Sequence, residues 1–274
     1  MPGGVSSDRT ELSMDLALAD KRALVTGASR GIGLAVARCL VAEGATVVSG
    51  SRANSPELEA LGDVGNVVQI AVDLLTESGP SDLVEAATND GPIDILVNNA
   101  GAVTPRLEGF LSVTDDDWWR TLNLTFMVAV RTTRALLPHM VERNSGSIVN
   151  NVSINASLPD PLVIDYSAGK AALRNFSKAL SKEFGPQGVR VNSVSAGPVA
   201  TGLWLGEGGV AETVAAAQGG APDQIANQAV RDTATGRFTR PEEIADLIVF
   251  LASDRAANIT GVDYVIDGGL TQSQ

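Results

Sequence analysis

Residues 22–33 read RALVTGASRGIG: an apolar, strand-like run breaks into a glycine-rich turn and passes into the helical pattern of residues 31–43. A sharp turn between strand and helix needs positions without a Cβ. Gly27 permits the turn, Gly31 lets backbone approach a pyrophosphate, and Gly33 lets helix and strand pack closely. The helix that starts near Ile32 offers free backbone N–H groups and a positive dipole end to phosphate oxygens. Ser29, Arg30 and Ile32 therefore join the three glycines as candidate cofactor-binding residues. A glycine-rich turn alone is weak evidence; the flanking strand and amphipathic helix supply its context.

Outward from this turn, Val- and Ile-rich runs recur at 46–50, 67–72, 94–99, 147–152, 190–195 and 263–268. Longer amphipathic stretches, such as 117–141, 168–184 and 241–252, lie between them. Such alternation implies right-handed crossovers and a parallel sheet covered on both faces. The expected architecture is α/β: a Rossmann-type doubly wound sheet of about seven parallel strands. Residues 1–17 read as a flexible N-terminal tail and 18–274 as one domain. Residues 202–237, rich in Gly and Ala without a strand signal, interrupt the rhythm before the last helix and strand. An insertion beyond the carboxyl end of a strand suits a substrate lid; the alternative is a pair of surface helices.

Composition narrows the class. With 20 basic and 32 acidic residues, the net charge of −12 argues against nucleic-acid and anionic-membrane partners. No apolar run approaches 18 residues, and residues 1–15 lack the basic and apolar regions of a secretory signal, so a cytoplasmic protein is expected. Cys39, the one cysteine, sits at helical spacing in AVARCLVA and reads as a buried core thiol. No His, Cys and carboxylate cluster has zinc spacing, so no metal is expected. The single histidine, His139, reads as a helix-terminal or interface residue, and no Ser–His pairing supports hydrolysis.

Tyr166 and Lys170 stand one helical turn apart and project from the same face. A phenol titrates near 10 and is a poor base at neutral pH; a nearby ammonium favours phenolate and lowers that value. The tuned phenol can then give a proton to a forming alkoxide or take one from an alcohol. Ser153, 13 residues earlier and just after a strand, can hydrogen-bond a carbonyl oxygen and stabilise its developing charge.

The spacing T-G-x-x-x-G-x-G, with NNAG at 98–101 and Y-x-x-x-K at 166–170, resembles the classical short-chain dehydrogenase/reductase family from about residue 20 onward. The ending from Thr239 to Gly269 is similar to 3-oxoacyl-carrier-protein-reductase-like members. The resemblance implies further cofactor contacts. Asp73 and Leu74 would meet the adenine, Asn99, Ala100 and Gly101 the nicotinamide ribose, and Gly197, Val199 and Thr201 the carboxamide side. Where the family has Pro-Gly, this chain has Ala196-Gly197, with Pro198 one place later.

The family also places an asparagine on the helix beginning near Trp118, relaying protons from the lysine through water. Asn123 is the obvious candidate, yet counting seven residues on from Trp118 or 28 back from Ser153 reaches Thr125. The two differ by about 200° around an α-helix, so both cannot serve unless a π-bulge shifts the register. Thr125 is the favoured catalytic position and Asn123 the alternative.

The second strand ends in VVSGSRA without the acidic residue that bonds a ribose 2′-OH. Ser51 and Arg52 stand there instead, and with Arg30 they suit a 2′-phosphate. NADP(H) is expected over NAD(H), with NAD(H)-linked alcohol oxidation the alternative. Beside the catalytic set, Ile154, Asn155, Leu158, Leu203 and Trp204 suggest a mostly apolar pocket for a neutral ketone or secondary alcohol. A weakly active nucleotide-binding sensor or scaffold is the reading from another class. The family commonly forms tetramers through the two long helices and the last strand, so a homotetramer or homodimer is expected.

Overall fold

The computed structural model describes residues 15–272. Seven strands, β1 (Arg22–Thr26), β2 (Thr46–Ser51), β3 (Val67–Ala71), β4 (Ile95–Asn98), β5 (Gly146–Asn151), β6 (Val189–Ala196) and β7 (Asp263–Ile266), form one sheet in the order β3-β2-β1-β4-β5-β6-β7. Every neighbouring pair is parallel. The strand order reverses between β1 and β4, and their carboxyl ends open the crevice where such sheets bind ligands.

Helices cover both faces. They are α1 (Gly31–Ala42), α2 (Pro56–Gly62), α3 (Gly79–Thr88), α4 (Asp115–Leu122), α5 (Val128–Glu142), α6 (Ile164–Phe184), α7 (Gly202–Leu205), α8 (Val210–Gln218), α9 (Pro222–Arg231) and α10 (Pro241–Ala252). Strand parity decides which core each side chain joins. Ala23 and Val25 of β1 pack with Val36 and Leu40 of α1 and with Ile244 and Ile248 of α10. Leu24, between them, packs with Leu83 of α3, Leu136 of α5 and Leu180 of α6 on the opposite face. Strands buried on both faces explain the continuous apolar runs of the sequence.

Three details correct the sequence reading. The 117–141 helix is two helices, α4 and α5, joined by a π-helical turn over Asn123–Met127. Helices α2 and α3 carry no clear sequence signal of their own, being short, with α2 burying only Leu58. Cys39 is half-buried and points its thiol at Asp246 of α10; burial, with Asp246 and Glu43 adding to it, pushes that thiol up to about 12.

The expected tail falls mostly on residues 1–14, outside the described residues. Residues 15–17 are tied down: Asp15 O accepts from Arg255 Nε at 2.6 Å, and Leu16 packs on the core. Among the described residues no helix is long and apolar enough to cross a membrane.

Segment 202–237 contains three helices, α7, α8 and α9, the latter two packed together around Val210, Val214 and Val230. Its ends are clamped. A bridge joins Val199 to Thr239, and Thr235 N donates to Gly268 O at 3.1 Å. Trp204 packs on Phe238, ring centroids 5.8 Å apart.

Candidate active site

The glycine turn is built by close approach. Gly27 has φ +67°, and a Cβ there would lie 3.0 Å from Ala100 Cα; a Cβ on Gly33 would run into Gly27 O and Asn99 Nδ2. Buried Thr26 draws the two strand ends together, its Oγ1 accepting from Asn99 N at 3.0 Å and Ala100 N at 3.1 Å. Helix α1 opens without a side-chain cap or an acidic residue in its first turn, leaving its N–H groups and dipole for an anion. Thr201 reaches across to Gly31, and both line a cavity of about 250 Å³ with Arg38 and Glu242. The cradle that a Cβ would fill, and an uncapped helix end facing it, fit a dinucleotide pyrophosphate.

The other expected cofactor residues surround this cradle. Arg30 and Arg52 are exposed and make no ion pair with a described residue. Ser51 Oγ donates to Ala53 O, and Ser55 Oγ to Ser29 O. Asp73 folds an Asx turn through Leu75 N. Leu74 is 7% exposed and its side chain belongs to the core, so only its backbone is free to meet an adenine. Gly197 continues the sheet, N to Ile266 O at 3.0 Å, and a Cβ there would press on Asp267. Val199 is buried beside it.

Paired asparagines end β4 and β5. Asn98 and Asn150 are register partners, and Asn98 Nδ2 donates to Asn150 Oδ1 at 2.8 Å. Asn150 Nδ2 continues to Ser177 Oγ of α6 at 2.7 Å, fixing that helix to the sheet. The next residues, Asn99 and Asn151, join on the crevice side: Asn151 Nδ2 donates to Asn99 Oδ1 at 2.9 Å.

Helix α6 carries Tyr166 in its first turn and Lys170 one turn later. Lys170 is 4% exposed, donates to Asn151 O at 2.6 Å, and lies 5.7 Å from the centroid of the Tyr166 ring. Ser153 Oγ donates to Asn155 Oδ1 and accepts from Asn155 N, both at 3.2 Å. Burial pulls the Lys170 ammonium down to about 8, so it loses its charge just above neutral pH. The expected lowering of the phenol is corrected here. Burial pushes Tyr166 up to about 12, with the Ser153 hydroxyl pulling the other way. Tyr166 therefore keeps its phenolic proton through neutral pH.

Thr125 and Asn123 part company in the π-turn. Thr125 is 1% exposed and faces α6: a Cβ on Gly169 would run into its Oγ1, which donates to Thr121 O at 2.6 Å. Asn123 faces away, donating from Nδ2 to Leu75 O at 2.9 Å and accepting from Arg131 Nη1 at 2.6 Å. Of the two, Thr125 is the one that packs on α6, at Gly169, the residue before Lys170.

Sequence reasoning missed Arg106. Its guanidinium binds Asp165, which immediately precedes Tyr166, and Asp117 at 2.9 Å. Thr121 Oγ1 also donates to Asp165 at 2.7 Å, and Asp165 accepts from Tyr166 N at 3.0 Å. Burial alone would raise the Asp165 carboxyl, but Arg106 and Thr121 hold it below the usual range. This knot ties the loop after β4, helix α4 and the start of α6 together. Arg106 and Asp165 are 59 residues apart, and no local pattern pairs them.

Of the expected substrate residues, Ile154 is buried next to Ser153 and Asn155 touches it, whereas Leu158 and Leu203 are exposed. A cavity of about 550 Å³ is lined by Ser157, Leu158, Asp232, Leu270, Thr271 and Gln272. Four of those six side chains, Ser157, Asp232, Thr271 and Gln272, carry polar groups.

Residues 27–271 match a family model described as enoyl-(acyl carrier protein) reductase. The chain is 36% identical over 271 residues to the uncharacterized oxidoreductase YvrD of Bacillus subtilis, covering 95% of this chain and 100% of that one. It is 33% identical to the 3-oxoacyl-[acyl-carrier-protein] reductase FabG of Thermotoga maritima, covering 92% and 98%. The structure of L-sorbose reductase from Gluconobacter frateurii, complexed with NADPH and L-sorbose, superposes with a TM-score of 0.86 at 34% identity, covering 95% and 100%. A 3-oxoacyl (acyl-carrier-protein) reductase from Agrobacterium tumefaciens with NADP bound gives 0.83 at 29% identity, covering 97% and 100%.

Proposed function

The chain belongs to the short-chain dehydrogenase/reductase family, oxidoreductases that interconvert CH–OH and C=O with a nicotinamide cofactor, and from that premise we propose that it is an NADP(H)-dependent reductase of a neutral ketone. The observation that carries the reading is the meeting of Ser153, Tyr166 and Lys170 beside the glycine cradle, at the strand ends where the sheet order reverses. A bound nicotinamide supplies or accepts the hydride. Gly27, Gly31 and Gly33 with the α1 N-terminus would hold its pyrophosphate, and Asn99, Ala100 and Gly101 would meet its nicotinamide ribose. Ser153 hydrogen-bonds the carbonyl oxygen and Tyr166 donates the proton to it. Oxidation of the matching alcohol uses the same groups in reverse.

The cofactor preference rests on Arg30, in the glycine turn, and Arg52, just past the end of β2, both exposed guanidinium groups; the carboxylate of Glu57, which Ser55 links to Ser29 of that turn, is engaged by Ser55 Oγ at 2.7 Å. The NADP(H) of two of the structural neighbours supports the same choice. The ratio of KM values for NADPH and NADH tests it, and a preference for NADH overturns it. The substrate class rests on the pocket: Leu158 and Leu270 offer apolar contact, and Ser157, Asp232, Thr271 and Gln272 offer polar contact, with no Lys or Arg in the lining. A neutral ketone bearing hydroxyl groups, as L-sorbose does in the structural neighbour, suits that mixture better than a purely apolar one. NADPH oxidation over a panel of simple ketones, hydroxyketones and acyl-carrier thioesters decides; dominant turnover of the thioesters overturns the reading. Assembly as a homotetramer or homodimer is part of the proposal and is read by light scattering.

A further inference from the structure

Tyr166 and Lys170 share helix α6 but are held by different bonds. Lys170 is fixed to β5 through Asn151 O at 2.6 Å, and Asn150 Nδ2 fixes the middle of the helix to the same strand through Ser177 Oγ. The first turn, which carries Tyr166, is held otherwise. It opens after a short helical turn over Pro161–Val163, and Val163 gives it no side-chain cap. The side chain that bonds a free N–H of this turn is Asp165, whose Oδ1 accepts from Tyr166 N at 3.0 Å. Its other oxygen, Oδ2, accepts from Arg106 Nε at 3.1 Å, from Arg106 Nη2, and from Thr121 Oγ1 at 2.7 Å.

Arg106 belongs to the loop that leaves β4. The first residues of that loop, Asn99 and Ala100, are pinned by Thr26 Oγ1. Its far end is pinned at Arg106, whose N donates to Leu162 O at 2.7 Å and whose guanidinium reaches Asp165 and Asp117. The Arg106 and Asp165 side chains are 12% and 1% exposed. A buried ion pair adds little to stability over apolar residues of the same volume, whereas a guanidinium fork on a carboxylate fixes direction as well as distance. Placement is what a proton donor needs, since a shift of about 1 Å can cost roughly a hundredfold in rate.

We propose that Arg106 and Asp165 are positioning residues for the Tyr166 phenol. The pair locks the first turn of α6 to the loop after β4 and thereby sets where the phenol sits, while Lys170 keeps its separate hold on β5. The proposal rests on the reading of Tyr166 as the proton donor, and it assigns to that reaction two residues outside the glycine-turn, Ser, Tyr and Lys pattern.

Arg106→Met combined with Asp165→Leu removes both charges together, so no lone carboxylate is left buried and the fold survives, which circular dichroism checks. NADPH oxidation is followed with the ketone of the panel above that turns over fastest. The expected result is kcat lowered roughly a hundredfold, with KM for NADPH unchanged because the bonds of Lys170 and the glycine turn are intact. Arg106→Lys, which keeps the cation but not the fork, should lose about tenfold, and it carries the test if the double variant does not fold. The decisive comparison repeats the substitutions in the Tyr166→Phe background, read in single turnovers. With no phenol to place, they should change the residual rate by less than about twofold. An equal fold-loss in both backgrounds overturns the proposal, because the damage is then not carried by the phenol. An unchanged kcat in the variant that carries the test overturns it too. A Tyr166→Phe loss below about tenfold, or a wild type that reduces no ketone of the panel, overturns the proton-donor reading and the proposal together, so the two failures look different.

Discussion

Where β5 runs out toward α6, Ser153, Asp165 and Lys170 are 7%, 1% and 4% exposed. In segment 202–237, which borders both cavities through Gly202 and Asp232, Leu203 and Leu205 are 41% and 50% exposed. The first region is held by side chains that each have a named partner. The second is held by its ends, at Val199–Thr239, Thr235–Gly268 and Trp204–Phe238. Protons must be placed to a fraction of an ångström, so the reacting groups are buried and bonded. A substrate must enter and leave, so segment 202–237, taken as its cover, would need local stability to lose. The contrast predicts that changes at the β5–α6 wall act on kcat or on folding, and changes in 202–237 act on KM.

The largest expected effect is at the proton donor. Tyr166→Phe removes the one hydroxyl placed to protonate the product and lowers kcat roughly 10³-fold, with cofactor binding preserved. Steady-state kinetics beside an NADPH titration check it, and a fall of less than tenfold in kcat would move the acid elsewhere. Arg106→Ala comes next. It leaves Asp165 as a buried carboxylate without its cation, which costs about 3 kcal/mol. Urea unfolding reads this directly. If stability is unchanged, the Arg106–Asp165 knot does not hold α6 in place.

The pH profile sharpens the same wall. Lys170 is charged below about 8 and neutral above it, while Tyr166 stays protonated to about 12. Reduction should therefore run flat through neutral pH and fall about tenfold per unit once pH passes about 8. The fold should not fail over that range. Because the folded pKa of Lys170 is depressed, the unfolded chain binds the extra proton between about 8 and the ordinary 10.5, and this group's share of stability rises with pH there. Circular dichroism at each pH separates loss of a proton from loss of structure; unfolding that tracks the activity would void the assignment.

The two regions also differed in how far the sequence revealed them. Strand parity, the glycine turn and the Tyr166–Lys170 spacing are local patterns, and each expected strand is present within a residue or two. The Thr125 register came from counting alone; the π-turn that places Thr125 against Gly169 depends on how α6 packs. Arg106 with Asp165, and Asn99 with Asn151, join residues 59 and 52 apart, so only the folded chain pairs them. Asp232, Thr271 and Gln272 likewise reach the cavity beside Leu158 from the far end of the chain, which no local pattern reveals.

Within the wall, Thr125 should matter more than Asn123, though modestly. Thr125→Val removes a hydroxyl packed on Gly169, the residue before Lys170, and should lower kcat several-fold, about what a lost hydrogen bond to an ordered group costs. Asn123→Ala breaks bonds to Leu75 and Arg131, on the far side of the π-turn, and should shift stability while sparing kcat. A reversed result, with only the asparagine variant slowing turnover, would put the wrong residue at the site.

The smallest effect falls on the 202–237 segment, and it tests the contrast most directly. Trp204 has its ring on Phe238, just before α10, so it anchors the first helix of the segment to the rigid body of the protein. An aromatic pair adds about 1 kcal/mol beyond area burial. Trp204→Ala should therefore loosen closure without touching Ser153, Tyr166 or Lys170, raising KM for the ketone a few-fold at nearly unchanged kcat. Limited proteolysis should show faster cleavage between α7 and α9 in the variant, with the sheet intact. If kcat falls instead and KM holds, closure of this segment completes the catalytic geometry. The division between a rigid wall that does the chemistry and a cover that selects the substrate would then be wrong.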